Sequence, residues 1–111
     1  MLCLVPTPIG NLEDISIRSL RILEEAELIF CEDTRVTKKL LNLLGEKQNL
    51  DFSNKEYKSF HSHNENNILQ SLTKETFTKN VVYVSDAGMP CVSDPGASLV
   101  DYCIKNDIAY D

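Results

Sequence analysis

The chain has 111 residues, about the size of one domain, and its 42% hydrophobic and 25% charged residues read as an ordinary globular protein. No apolar run approaches the ~20 residues needed to cross a bilayer, and the start MLCLVPTPIG lacks the basic region and long apolar core of a signal peptide, so a cytoplasmic protein without membrane contact is expected. A formal net charge of −6 argues against the chain as a whole being a nucleic-acid-binding surface, although Arg18 and Arg21, then Arg35, Lys38 and Lys39, leave room for a local basic face.

The first apolar run, residues 2–5, is closed by Pro6, with Pro8 and Gly10 behind it; it reads as a buried strand followed by the loop TPIGNL. Asp14 and Ser16 are candidate N-caps for a helix carrying Ile17, Leu20, Ile22, Leu23 and Ala26 at near-helical spacing. Residues 28–31 form a second apolar run, ended by Glu32-Asp33-Thr34-Arg35. A helix is expected from Val36 through Leu40, Leu41, Leu43 and Leu44, with Gly45 as its stop. Residues 46–55 read as a loop and 57–60 as a weak strand. Ser62-His63-Asn64-Glu65 fits a capping box opening a helix through Ile68, Leu69, Leu72 and on toward Phe77. Residues 81–84 are the clearest strand, 97–106 a further helix, and 108–110 the start of another strand.

Strands alternating with helices, and apolar on both faces, predict an α/β fold: a parallel sheet in a three-layer domain spanning 1–111. The last strand has no helix after it, so more protein is expected to follow. The four cysteines, Cys3, Cys31, Cys91 and Cys103, show no CxxC pair and no zinc-like spacing. Cys3 and Cys31 lie in strand-like runs where a free thiol packs as a small hydrophobe. Free cysteines are expected.

In an open parallel sheet, ligands bind outside the carboxyl ends of the strands. Each unusual loop follows a strand: TPIGNL, EDTR, HSHNE and SDAGMPCVSDPG. The last carries two Asp-bearing turns and two Gly/Pro pairs. Gly88 and Gly96 permit close backbone approach to a ligand, Pro90 and Pro95 stiffen the path, and Asp86 and Asp94 either order the turns or accept hydrogen bonds from a ligand. Neither a G-x-G-x-x-G nor a GxxxxGK[ST] occurs, which disfavours a dinucleotide site and a P-loop. His61 and His63 lack an acidic residue at ligand spacing, so capping and hydrogen bonding are preferred over a metal, and no metal is expected. Asp33 with Arg35 is either a site pair or a helix-start Asp beside a solvated Arg.

Thr7-Pro8-Ile9-Gly10-Asn11-Leu12, Glu32-Asp33-Thr34-Arg35, His61-Ser62-His63-Asn64-Glu65 and residues 85–96 follow one another in an order and spacing that resemble the tetrapyrrole methylase superfamily. Within it they are most like the branch that 2′-O-methylates a cytidine of bacterial small-subunit ribosomal RNA. The resemblance implies an S-adenosyl-L-methionine-dependent methyltransferase of two α/β domains, with the cofactor in the cleft between them. This chain is then the N-terminal half, short of its C-terminal domain, in a family that is commonly dimeric. It also implies cofactor contacts from Pro8, Ile9 and Gly10, and from Asp86, Ala87, Gly88, Met89 and Pro90, with Val92 and Ser93 nearby. Two residues depart from the pattern: Met89 stands where Thr is usual, and Ser62 where Glu is usual.

A ribose 2′-hydroxyl is a weak nucleophile, so a base that takes its proton would help; Asp33, His61 and Asp94 are the candidates, with Arg35 binding phosphate of the RNA. The partner implied is the small ribosomal subunit, its basic surface lying mainly on the missing half or across a dimer seam. Two rival readings remain: methylation of a small tetrapyrrole on the same fold, and a non-catalytic dimerisation or cofactor half-site module. Isolated, the fragment is expected to be inactive.

Overall fold

The computed structural model describes residues 1–6, 15–85 and 94–111. Among them, four parallel strands, β1 (Leu2–Pro6), β2 (Leu28–Cys31), β3 (Glu56–Ser59) and β4 (Val81–Ser85), form a sheet of order β1-β4-β2-β3. The helices are α1 (Ile17–Glu25), α2 (Thr34–Gln48), α3 (Glu65–Ser71) and α4 (Asp94–Lys105), with a 3-10 segment at Lys74–Thr78. The expected three-layer α/β domain is what the chain builds.

Side-chain alternation divides the core in two. Leu2, Leu28, Phe30, Val81 and Tyr83 point to one face, where Leu99 and Cys103 of α4 and Ile68 and Leu69 of α3 cover them. Val5, Ile29, Val82 and Val84 point to the other, under Leu23 of α1 and Leu41 and Leu44 of α2. The inner strands β2 and β4 are buried on both faces, hence their unbroken apolar sequence. Strand β3 is different. Glu56, Tyr57, Lys58 and Ser59 alternate exposed and half-buried, as an outer strand does.

The connections explain the layers. The chain steps from β1 to β2 to β3 in one direction, using α1 and α2, then turns back to β4 using α3. Crossovers of one hand that run in opposite directions must cover opposite faces. Residues 109–111 continue the return on the far side of β1: Leu2 N donates to Ala109 O (3.1 Å), Asp111 N to Leu2 O (2.9 Å) and Leu4 N to Asp111 O (3.0 Å). Tyr110 bridges Leu2 in parallel, and Arg18 of α1 pairs with Asp111.

Three local readings need correction. Helix α2 starts two residues before Val36, capped by Asp33, and runs through Gly45 to Gln48; Asn49, at φ 57°, makes the left-handed turn that ends it. Gly45 serves close approach instead: a Cβ there would lie 2.6 Å from the Leu50 carbonyl oxygen. The Ser62 capping box does not form. Helix α3 starts at Glu65 after Asn64, and the capping box found is Thr73 with Thr76, heading the 3-10 segment that carries Phe77 separately from α3. Finally, α4 starts at Asp94, three residues before the expected Ala97. By contrast, Ser16 caps α1 as expected, its hydroxyl accepting from Ser19 N at 3.0 Å.

Candidate functional site

Topology defines the site first. Strands β1 and β4 are neighbours, yet α1 and α4 leave them for opposite faces of the sheet. Strands β4 and β2 diverge in the same way, through α4 and α2. The carboxyl end of β4 therefore lies between two switch points, where chain paths separate and open a crevice. Pro6 of β1 is registered with Ser85 of β4, so the loops that follow both strands start side by side. The cofactor residues implied by the resemblance, Pro8, Ile9, Gly10, Asp86, Ala87, Gly88, Met89, Pro90, Val92 and Ser93, lie outside the described residues, as does Cys91.

The two remaining loops are described, and they start from paired strands. Cys31 is registered with Ser59, and Phe60 N donates to Cys31 O at 2.7 Å, so Asp33 and His61 each sit two residues beyond registered partners. Asp33 caps α2 by accepting from Arg35 N at 2.9 Å, while the Arg35 guanidinium reaches its carboxylate at 3.3 and 3.4 Å. The Arg35 side-chain and backbone hydrogen bonds hold the Asp33 carboxyl below the usual carboxylate range. That keeps Asp33 ionised and makes it a weak proton acceptor. Arg35 is 90% exposed, with donors to spare.

The HSHNE loop is organised by Asn64. Its Oδ1 accepts from His61 N at 2.8 Å, and its Nδ2 donates to Ser59 O at 3.0 Å. The His61 carbonyl accepts from Asn64 N (3.1 Å) and Glu65 N (2.9 Å), and its Nδ1 accepts from His63 N at 3.2 Å. The two imidazoles meet edge to face, 5.8 Å between centroids. At the start of α3, Glu65 Oε2 accepts from the Ser98 hydroxyl of α4 at 2.7 Å. This bond ties the HSHNE loop to the helix whose first residue is Asp94. Asp33, Arg35 and His61 thus share the β2–β3 part of the carboxyl edge, and Asp94 follows the β4 loop.

Thr37 is a feature the sequence reading passed over. It lies on the sheet-facing side of α2, one turn before Leu41, fully buried, and its hydroxyl has no hydrogen-bond partner. A polar residue in register with Leu41 and Leu44 was the available signal. The basic residues, in contrast, do not converge on a single helix: Arg18 and Arg21 are exposed on α1, and Arg35, Lys38 and Lys39 on α2, in the same layer. Lys38 is partly engaged, its Nζ 5.3 Å from the Tyr57 ring centroid. Among the described residues Cys3, Cys31 and Cys103 form no disulfide, and burial pushes the Cys3 and Cys103 thiols above the ordinary thiol range. Among the described residues no group of three His, Cys, Asp or Glu side chains comes together to hold a metal ion, and no helix is long and apolar enough to cross a membrane.

A parallel sheet with switch points on both sides of one strand defines an open α/β domain of the kind that binds ligands at the carboxyl edge of its sheet. Residues 1–111 match the family described as tetrapyrrole (corrin/porphyrin) methylases, and the chain belongs to that family. Among its curated relatives, "Ribosomal RNA small subunit methyltransferase I" of Campylobacter fetus is 54% identical over 112 residues, covering 100% of this chain and 41% of the relative. The protein of the same name from Helicobacter pylori J99 is 46% identical over 118 residues, again 100% of this chain and 41% of the relative. The chain thus spans about two fifths of the length of these relatives. A crystal structure of uroporphyrin-III-C-methyltransferase from Thermus thermophilus superposes with a TM-score of 0.62 at 20% identity, over 98% of this chain and 44% of that one. At that identity the likeness speaks to the fold.

Proposed function

We propose that this chain is the N-terminal domain of a methyltransferase that uses S-adenosyl-L-methionine to methylate small-subunit ribosomal RNA, at the 2′-oxygen of a cytidine. The observation that carries the reading is the 54% identity, along the whole chain, to a protein named as a small-subunit ribosomal RNA methyltransferase. The relatives' greater length supports a C-terminal domain as the other half of the cleft. A homodimer and a cytoplasmic location belong to the same proposal.

The residues fit the cofactor in two respects. The loops that would hold it, carrying Pro8, Ile9, Gly10 and the stretch from Asp86 to Ser93, start from adjacent registered strand ends at a switch point. The buried Thr37 hydroxyl, near the α2 start at the same edge, is a polar group without a protein partner. S-adenosyl-L-methionine, when bound, supplies an electrophilic methyl group. The chain's own residues have then to position the acceptor and manage its proton. Arg35, exposed and oriented by Asp33, binds an RNA phosphate. Asp33 holds the start of α2 and the guanidinium. Since its carboxyl lies below the usual range, Asp33 is a weak base, and Asp94 is the carboxylate proposed to take the 2′-hydroxyl proton.

The test uses the full-length protein and S-adenosyl-L-methionine labelled on the methyl group, offered to small ribosomal subunits from cells lacking the modification. Label recovered in cytidine ribose is the expected result, and Asp94→Asn should greatly reduce it. No label in RNA while the cofactor still binds would favour a small tetrapyrrole acceptor.

A further inference from the structure

We infer that His61 acts on the RNA as a hydrogen-bond donor through Nε2, and not as the base that removes the 2′-hydroxyl proton; this rests on the RNA-methyltransferase reading above. The loop consumes every other polar atom of the residue. His61 N donates to Asn64 Oδ1 at 2.8 Å, and its carbonyl accepts from Asn64 N at 3.1 Å and Glu65 N at 2.9 Å. The ring's Nδ1 accepts from His63 N at 3.2 Å. An imidazole that accepts at Nδ1 carries the proton of its neutral form on Nε2. The nitrogen left over is therefore an N–H, and no described residue receives it.

The setting matches that role. The turn is braced from below by Asn64 Nδ2 on Ser59 O and from the side by Glu65 on Ser98, so the ring is held by backbone and helix contacts. Like Asp33, His61 lies two residues beyond a registered strand end, on the same carboxyl edge of the sheet as the Asp33–Arg35 pair. A fixed N–H on the edge that also carries the exposed Arg35 guanidinium is suited to an oxygen of the sugar-phosphate backbone. The ring cannot take a proton at Nε2 while its Nδ1 accepts from His63. A general base at this position would need the opposite tautomer and the loss of the His63 bond.

Two amide substitutions separate the ring nitrogens, since Asn places a polar atom where Nδ1 lies and Gln where Nε2 lies. Full-length His61→Gln, His61→Asn and His61→Ala variants would be compared with wild type in labelled-methyl transfer to undermethylated small subunits, with thermal unfolding of each. His61→Gln should keep its rate within a few-fold of wild type. His61→Asn and His61→Ala should lose about ten- to a hundredfold, the range for a hydrogen bond to a charged or developing-charge oxygen. His61→Asn should also unfold near the wild-type temperature. Loss in His61→Gln equal to that in His61→Asn would overturn the assignment, being the result for a ring that must take up a proton. Full activity in His61→Asn, or in all three variants, would overturn it as well, the first by making the ring a loop anchor. A wild-type enzyme that left the RNA unlabelled would remove the reading beneath it.

Discussion

Within the sheet, β2 and β4 present only buried side chains from Leu28 to Cys31 and from Val81 to Val84, alternating between two apolar layers. Two residues past the end of β2 the rules change. Asp33 and Arg35 are half or fully in solvent, and position is fixed by single hydrogen bonds: a carboxylate capping α2 in one loop, an amide bracing a turn in the other. The interior is specified by many interchangeable contacts, and the carboxyl edge by a few that are not. The edge thereby keeps an Arg35 guanidinium that is paired with Asp33 yet 90% exposed.

The largest effect should come from the interior. Phe30 is fully buried and stacks edge-on with Phe60, whose centroid lies 5.8 Å away. Phe30→Ala should cost about 3–5 kcal/mol, a large fraction of a domain's stability, seen in denaturant unfolding. A much smaller loss would mean that the interior tolerates holes and that the contrast with the edge is overstated.

Next comes the brace. Asn64→Ala strands the His61 N–H and the Ser59 carbonyl, and should cost about 1–3 kcal/mol in the same measurement. Because it also frees the His61 turn, methyl transfer should fall further than stability alone explains. Thr37→Val works in the opposite direction. Removing an unpartnered buried hydroxyl while keeping its shape should stabilise by about 1 kcal/mol. If the full-length protein uses that hydroxyl for its ligand, the more stable variant will bind S-adenosylhomocysteine less tightly. Unchanged affinity would make Thr37 a purely structural defect.

The smallest effect is the acid dependence of Asp33. Its carboxyl is held below the usual range by Arg35, so its contribution is present above the ordinary carboxylate pKa and is lost as pH falls through the depressed value. Arg35→Ala should therefore lessen the fall in Tm between pH 5 and pH 2 slightly, without changing its sign. An unaltered profile would show that solvent screens the pair completely.

Much of this was legible along the chain. Apolar runs at 2–5, 28–31 and 81–84 are buried strands, because a strand covered on both faces admits only apolar side chains. The cap at Ser16 and the polar loops after β2 and β3 followed from local chemistry alone. What local chemistry could not supply was competition between neighbours. Ser62 looked like a cap, yet the turn is held by Asn64, whose amide takes both His61 N and Ser59 O. Gly45 looked like a helix stop, yet it is the point where the chain folds back closely enough for Leu50 to need a residue without a Cβ.

The sequence by itself determined the class of fold, the order of its elements and the family, since burial pattern and motif order are properties of the chain read in one dimension. The tertiary structure decided the strand order β1-β4-β2-β3, and with it the two switch points beside β4. It also decided which nitrogen of His61 is free and that Asp33 is already engaged. The strand order depends on residues distant in sequence meeting in one sheet. The His61 and Asp33 bonds join residues two apart, but a hydrogen bond taken by one partner is no longer open to another, and the sequence does not say which is taken.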